Sequence, residues 1–212
     1  MKSGFGIMFF LVFSIHGFAQ QRTVAECTVE YDITTDSVKY KDAFDALKNG
    51  KKVLLIKGIQ SRSDFFNGSF LQSTFIKKDT GNIYVYREIG DNKILTVIDR
   101  TNWQIMNSAF DSAELINSAE RKRVLNFDCK HVILKLKNGD EYSVYYAPTI
   151  MPSIKEYEYA FSKIPGLVLE YNIKKNNEPE IKYVAKKINF NPVPSAKMEL
   201  PKSGYRIYNE YQ

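Results

Sequence analysis

The sequence predicts a mostly β protein with minor α content: a single curved antiparallel sheet or half-barrel carrying a few short helices. Three observations lead there. Short segments alternate apolar and polar side chains along the chain. Gly-containing turn signals separate them at hairpin spacing, most clearly Asn67-Gly68, Asp79-Thr80-Gly81, Gly90-Asp91-Asn92 and Asn138-Gly139. The 212 residues also include 14 Tyr and 14 Phe, which pack well on a pleated surface and are good strand formers.

The first segment, residues 1–19, reads as a signal peptide. Lys2 supplies a positive start, residues 7–15 an apolar run, and Gly17 and Ala19 small residues ahead of a cut before Gln20. The run falls short of the roughly 20 apolar residues a permanent spanning helix needs; a retained anchor is the alternative. Cys27 follows Val24-Ala25-Glu26 rather than a run of small residues, so no lipid tether is expected. The expectation is an exported protein, periplasmic or at the cell surface, with no transmembrane segment after cleavage. Cleavage also removes His16 and leaves His131 as the only histidine.

The mature chain, residues 20–212, reads as one β-rich domain. Cys27, Val29, Tyr31 and Ile33 alternate with Glu30 and Asp32, the mark of a half-buried strand. Tyr40, Phe44 and Leu47 share one face of a short helix stopped by Asn49-Gly50. Residues 51–59 are β-rich, 60–64 a polar connection, and the return strand follows Asn67-Gly68. The next hairpins use 70–76 with 83–88, then 94–99, and later 131–137 with 141–146. Residues 103–110 fit a strand, and 112–123 a helical or irregular stretch. Pro148, Pro152 and Pro165 bracket a segment unsuited to a central strand. Leu167, Leu169, Tyr171 and Ile173 alternate cleanly, 181–190 gives one more strand, and the tail from about 191 is expected to be loosely ordered.

The chemistry available is limited. Two Cys and two His cannot build a multi-ligand metal site, and no CxxC or HxxxH spacing occurs. No GxSxG elbow, P-loop or GxGxxG fingerprint is present. The acids Asp42, Asp45, Asp64, Asp79, Glu88, Asp99, Asp128 and Glu170 show no spacing that marks a catalytic pair. His131 shares a strand face with Cys129 and Ile133, but residues two apart on a strand are poorly placed for proton transfer. No cofactor and no enzymatic activity are expected; the alternative, a hydrolase, would require a cleft that gathers His131 with at least one carboxylate. Cys27 and Cys129 either form a disulfide, which export permits, or remain two buried thiols.

The net charge of +6 comes from lysine and arginine clusters at 48–52, 121–123, 174–175 and 186–187. Export makes nucleic acid an improbable partner, while charged strand edges and anionic head groups both account for the clusters. A curved sheet that curls over incompletely packed helices leaves an apolar cleft, the usual form of a hydrophobic-ligand site. Tyr145, Tyr157, Tyr159 and Phe161 fall outside the clean inward alternation and are the candidate ligand or partner surface.

One stretch goes beyond pattern. Phe127-Asp128-Cys129-Lys130-His131, then Val144-Tyr145-Tyr146-Ala147-Pro148-Thr149-Ile150, then Ile164-Pro165-Gly166-Leu167-Val168-Leu169-Glu170 occur in that order. Together they resemble the GLPGLI family of exported Bacteroidota proteins and the neighbouring DUF4412 family. Lys163 and Ile164 stand where the family motif has Gly and Leu. The resemblance implies a LolA/LolB-like half-barrel with a helical lid, and binding of acyl chains or a lipidated partner; the alternative is a structural or interaction subunit whose loop at 151–165 contacts an envelope protein. From the residues alone, Pro165-Gly166 reads as a turn, with Pro fixing φ and Gly accepting φ > 0.

Overall fold

The computed structural model describes residues 21–35, 50–68, 70–175 and 178–209. The expected signal peptide and the helix expected around 40–47 lie outside them.

The described residues form fourteen strands. The first half of the chain gives β1 (Arg22–Val24), β2 (Glu26–Thr35), β3 (Lys51–Lys57), β4 (Gln60–Asn67), β5 (Phe70–Lys77), β6 (Ile83–Ile89) and β7 (Asn92–Ile98). The second gives β8 (Glu114–Val124), β9 (Phe127–Lys135), β10 (Glu141–Ala147), β11 (Ile150–Pro152), β12 (Leu167–Lys174), β13 (Ile181–Asn189) and β14 (Arg206–Asn209). Two short helices, α1 (Arg100–Met106) and α2 (Ser108–Asp111), separate the halves.

Twelve strands make one open sheet in the order β14-β7-β6-β5-β4-β3-β2-β13-β12-β10-β9-β8. The mostly β, curved and unclosed sheet expected from the sequence is therefore the fold. All pairings in it are antiparallel except β14 with β7, and β1 pairs in parallel with β11 in a separate two-stranded sheet. The four turn signals named above each join consecutive paired strands, as their glycines permit. Gly68 takes φ 51°, which a side chain would resist.

The order explains the cover on the concave face. β7 lies near one edge and β8 at the other, so the connection between them must cross the sheet. That connection is α1 and α2. Trp103 packs on the cluster of Ile83, Val85 and Ile98, and Phe110 meets Tyr142 edge-on with ring centroids 5.3 Å apart. The strand expected over 103–110 is thus helical. Asp99, the N-cap, accepts from the Asn102 N–H at 2.9 Å and starts α1 there. Conversely, the stretch expected to be helical or irregular over 112–123 is strand β8, held by β9 with a register shift between Asn117 and Arg121. Its exposed charges suit an edge.

The main core lies on the concave face. Val29, Leu54, Val144, Leu167 and Leu169 are fully buried there, with Tyr157, Phe161 and Ile164 packed down from the segment after β11. Strand alternation sends Leu55, Phe75 and Tyr86 to the opposite face, where Val193 and Met198 cover them. The tail expected to be loosely ordered therefore packs as a second small core. Each fully buried aliphatic side chain contributes about 1.5–3 kcal/mol.

Candidate functional site

Lys52 looks like a surface lysine in the sequence, yet it alternates with Leu54 and Ile56 and so points to the concave face. It is 7% exposed. Its Nζ meets Glu158 Oε1 at 2.5 Å and donates to the Tyr171 hydroxyl at 2.6 Å. The rings of Tyr31, Tyr171 and Tyr183 surround the ammonium at 5.4, 4.9 and 5.4 Å. Tyr171 and Tyr183 stack at 4.4 Å, and Phe161 meets Tyr171 edge-on at 4.9 Å. Burial pushes the Tyr31 and Tyr171 hydroxyls well above their ordinary pKa, with Glu158 adding to the effect, so both stay protonated.

Two serines anchor the covering segment to the sheet. Ser61 donates to the Tyr157 carbonyl at 3.1 Å, and Ser63 donates to Glu158 at 2.8 Å. These contacts correct the polar connection expected over 60–64, which is the first half of β4. Its inward serines are polar because they hold the cover, which breaks the hydrophobic alternation.

Between the concave face and this cover runs a cleft of about 340 Å³. Phe65, Gln72, Thr74 and Ile76 line it from β4 and β5, Trp103 and Asn107 from the crossing helices, and Tyr142, Tyr171, Ile173 and Tyr183 from the second half. A smaller recess of about 200 Å³ shares Ile76, Trp103 and Tyr159 with it and adds Lys77, Lys78, Arg100 and Glu156.

Of the four aromatic residues singled out from the sequence, three reach this cleft. Tyr157 and Phe161 are 2% and 3% exposed and are core residues that turn one edge to it. The Tyr157 hydroxyl accepts from the Val168 N–H at 3.1 Å. Tyr159 is half-buried and donates to Asp111 at 2.8 Å, tying the segment to α2. Tyr145 lies on the opposite face, stacked on His131 at 4.5 Å and donating to Glu120 at 2.8 Å.

His131 is buried rather than at an exposed edge. Its Nε2 lies 2.9 Å from Ser143 Oγ, and its Nδ1 lies 3.6 Å from the Glu120 carboxylate. It does not line the cleft. Nearby Glu170, 3% exposed, sits between Lys122 at 2.7 Å and Lys182 at 3.0 Å, an ion cluster that offsets the desolvation of its charge.

Cys27 and Cys129 are both buried free thiols. Three strands, β13, β12 and β10, separate β2 from β9, about 19 Å along the sheet at strand spacing. A disulfide needs Cα atoms within about 7 Å.

The chain bends at Pro165-Gly166 as its motif suggests, but the reason for Gly166 differs from the expected one. Gly166 does not take a positive φ. A Cβ there would meet the Ala147 carbonyl oxygen and come within 2.8 Å of the Tyr146 ring. Gly is present because β10 passes too close for any side chain, and Pro165 bends the chain into that contact through the Gly166 N–H to Ile164 carbonyl bond at 2.9 Å.

Among the described residues, no group of three or more His, Cys, Asp or Glu could hold a metal ion, and no helix is long and apolar enough to cross a membrane.

No family model matches the chain, and no curated protein matches it. Solved structures do. The chain is similar to PNGF-II in two crystal forms, with TM-scores of 0.53 and 0.55 at 9% and 11% identity. The similarity covers 87% and 88% of this chain but 31% and 32% of PNGF-II, so the chain spans under a third of that protein. It is also similar to an uncharacterized conserved protein from Thermus thermophilus, with a TM-score of 0.52 at 8% identity, over 88% of this chain and 91% of that one. At such identities the likeness is one of fold.

Proposed function

We propose that this is an exported, non-enzymatic envelope protein of the GLPGLI and DUF4412 type that holds a hydrophobic ligand, or the acyl part of a lipidated partner, on its concave face. The observation that carries the reading is the open cleft between the sheet and its cover. A core that only stabilised the fold would close this space, because interiors pack at crystal density. Instead about 340 Å³ stays open, within the size range of small-molecule sites. Its walls are mostly aromatic, with a few neutral polar groups and the mutually paired Lys52 and Glu158, a mixture suited to holding an apolar body in one orientation.

The test is titration of delipidated protein with N-phenyl-1-naphthylamine, an uncharged probe that brightens in apolar surroundings. Saturable binding is expected, and Thr74→Trp, which fills the cleft, should abolish it. A linear, unsaturable response in the parent protein removes the carrier reading.

A second reading, an interaction subunit of an envelope complex, draws on the exposed apolar end of α1. Ile105 and Met106 are 64% and 48% exposed. Pull-down from envelope extracts should then recover a partner that Ile105→Glu with Met106→Glu loses, with probe binding unchanged.

A further inference from the structure

The cleft and its smaller neighbour differ in charge, and the difference specifies which end of a ligand each takes. In the cleft, the charged lining groups are Lys52 and Glu158, and they neutralise each other at 2.5 Å. Both are further committed, Lys52 to the Tyr171 hydroxyl and Glu158 to Ser63. An ion entering here would face a charge of its own sign and lose its water without gaining a free partner, which is costly. The cleft therefore suits an uncharged, apolar body.

The adjoining recess is built differently. Lys77, Lys78 and Arg100 line it against a single acid, Glu156. Among the described residues, none of these four side chains makes an ion pair or a hydrogen bond, and the Lys77 ammonium has only the Phe75 ring 5.4 Å away. Lys77 borders the recess but carries its ammonium over the Phe75 ring on the opposite face of the sheet, which leaves Lys78 and Arg100 to face the recess with their charge unspent. Ile76, Trp103 and Tyr159 line both spaces, so the two adjoin along a shared, largely apolar border.

We infer that the ligand is an anionic amphipath: its apolar body lies in the cleft and its carboxylate or phosphate head is held in the recess by Lys78 and Arg100. This rests on the cleft being a ligand site, as proposed above. Arg100 offers the fork that matches an oxyanion in two places, while Lys78 acts as a point charge. The mutually neutralised pair gives a charged head no free partner in the cleft, so the ligand has one orientation.

The experiment is displacement of N-phenyl-1-naphthylamine from the delipidated full chain by laurate, dodecyl phosphate and uncharged monolauroylglycerol, all below their micelle concentrations. Laurate, dodecyl phosphate or both should displace the probe at about tenfold lower concentration than monolauroylglycerol, an advantage worth about 1.4 kcal/mol that added salt shrinks. The stronger of the two identifies the head group. Lys78→Glu with Arg100→Glu, both at exposed positions, should remove the advantage and leave monolauroylglycerol unchanged. Equal or tighter binding of monolauroylglycerol overturns the inference while the cleft survives as a site. Displacement by inorganic phosphate alone also overturns it, because the recess would then bind a free anion. Failure of the probe itself to bind removes both readings.

Discussion

Lys52 and Glu158 meet at 2.5 Å in the lining of the cleft, one from β3 and the other from the segment that covers the sheet. The pair joins the two halves of the chain within the lining of the cavity. Lys52 has almost no solvent to fall back on, so it depends on this partner.

Removing the carboxylate should therefore be costly. Glu158→Ala is expected to lower stability by roughly 3 kcal/mol, because it strands a buried ammonium. Glu158→Gln, which keeps an acceptor for Lys52 and Ser63, should cost about half as much. Lys52→Met with Glu158→Gln should recover most of the loss, since replacing both charges of a buried pair is often close to neutral. Urea denaturation of the three variants checks the order. A Glu158→Ala variant as stable as the parent would show that the pair holds nothing.

Gly166→Ala should destabilise by about 2 kcal/mol, the usual cost of forcing a methyl group into a full site. Pro165→Ala, which only loosens the bend, should cost under about 1 kcal/mol. Thermal denaturation distinguishes the two. A turn that needed Gly for its φ alone would make the cost one of backbone strain, and Gly166→Asn would then be better tolerated than Gly166→Ala; close packing predicts the reverse.

The tail should loosen in acid. Glu26 accepts from the Val193 N–H at 2.6 Å, and this bond, with Lys57 beside it, holds the Glu26 carboxyl below its ordinary value of 4.5. Glu88 accepts from the Tyr205 hydroxyl, which with Lys93 lowers it too. A carboxyl with a depressed folded-state pKa contributes its stability in full above the unfolded value and loses it as pH falls through the folded one. Both fastenings are therefore complete at neutral pH and are lost below about pH 4.5. Hydrogen exchange should show amides of residues 193–209 losing protection on acidification before those of β2, β3 and β12. Simultaneous loss across the chain would contradict this.

Neither thiol should react in the folded state. Burial pushes Cys27 up to about 12 and Cys129 up to about 11, so little thiolate exists at neutral pH. Ellman's reagent should label no cysteine in native protein and two after denaturation, in both oxidising and reducing buffer. One pair missing from the denatured count in oxidising buffer would mean that the bridge forms.

The strand succession was legible because the hairpin glycines and the alternating apolar residues act locally. What the sequence hid were elements whose character is set by distant partners. β8 is polar along most of its length and becomes a strand only because β9 offers it an edge. Ser61 and Ser63 face inward as polar groups because their partners lie in a segment nearly a hundred positions later. The cleft was half visible: Tyr157, Tyr159 and Phe161 were found by their misfit to the alternation, while Tyr145 failed by the same criterion. Lys52 could have been found, since the alternation with Leu54 and Ile56 already placed it inside. Trp103 was missed because the Asp99 cap was read as the end of a strand and not as the start of a helix.

The seam between β2 and β13 has a consequence for how the chain acquires its shape. Lys186 on β13 bonds Asp32 on β2, 154 positions away, and β13 is the strand that unites the two meanders. Loop closure on that scale is slow compared with hairpin formation. Each meander can zip locally, but the two stay unjoined until β13 is in place. The hollow that would receive a guest is thus among the final things to exist, and a nascent or truncated chain has nowhere to put one.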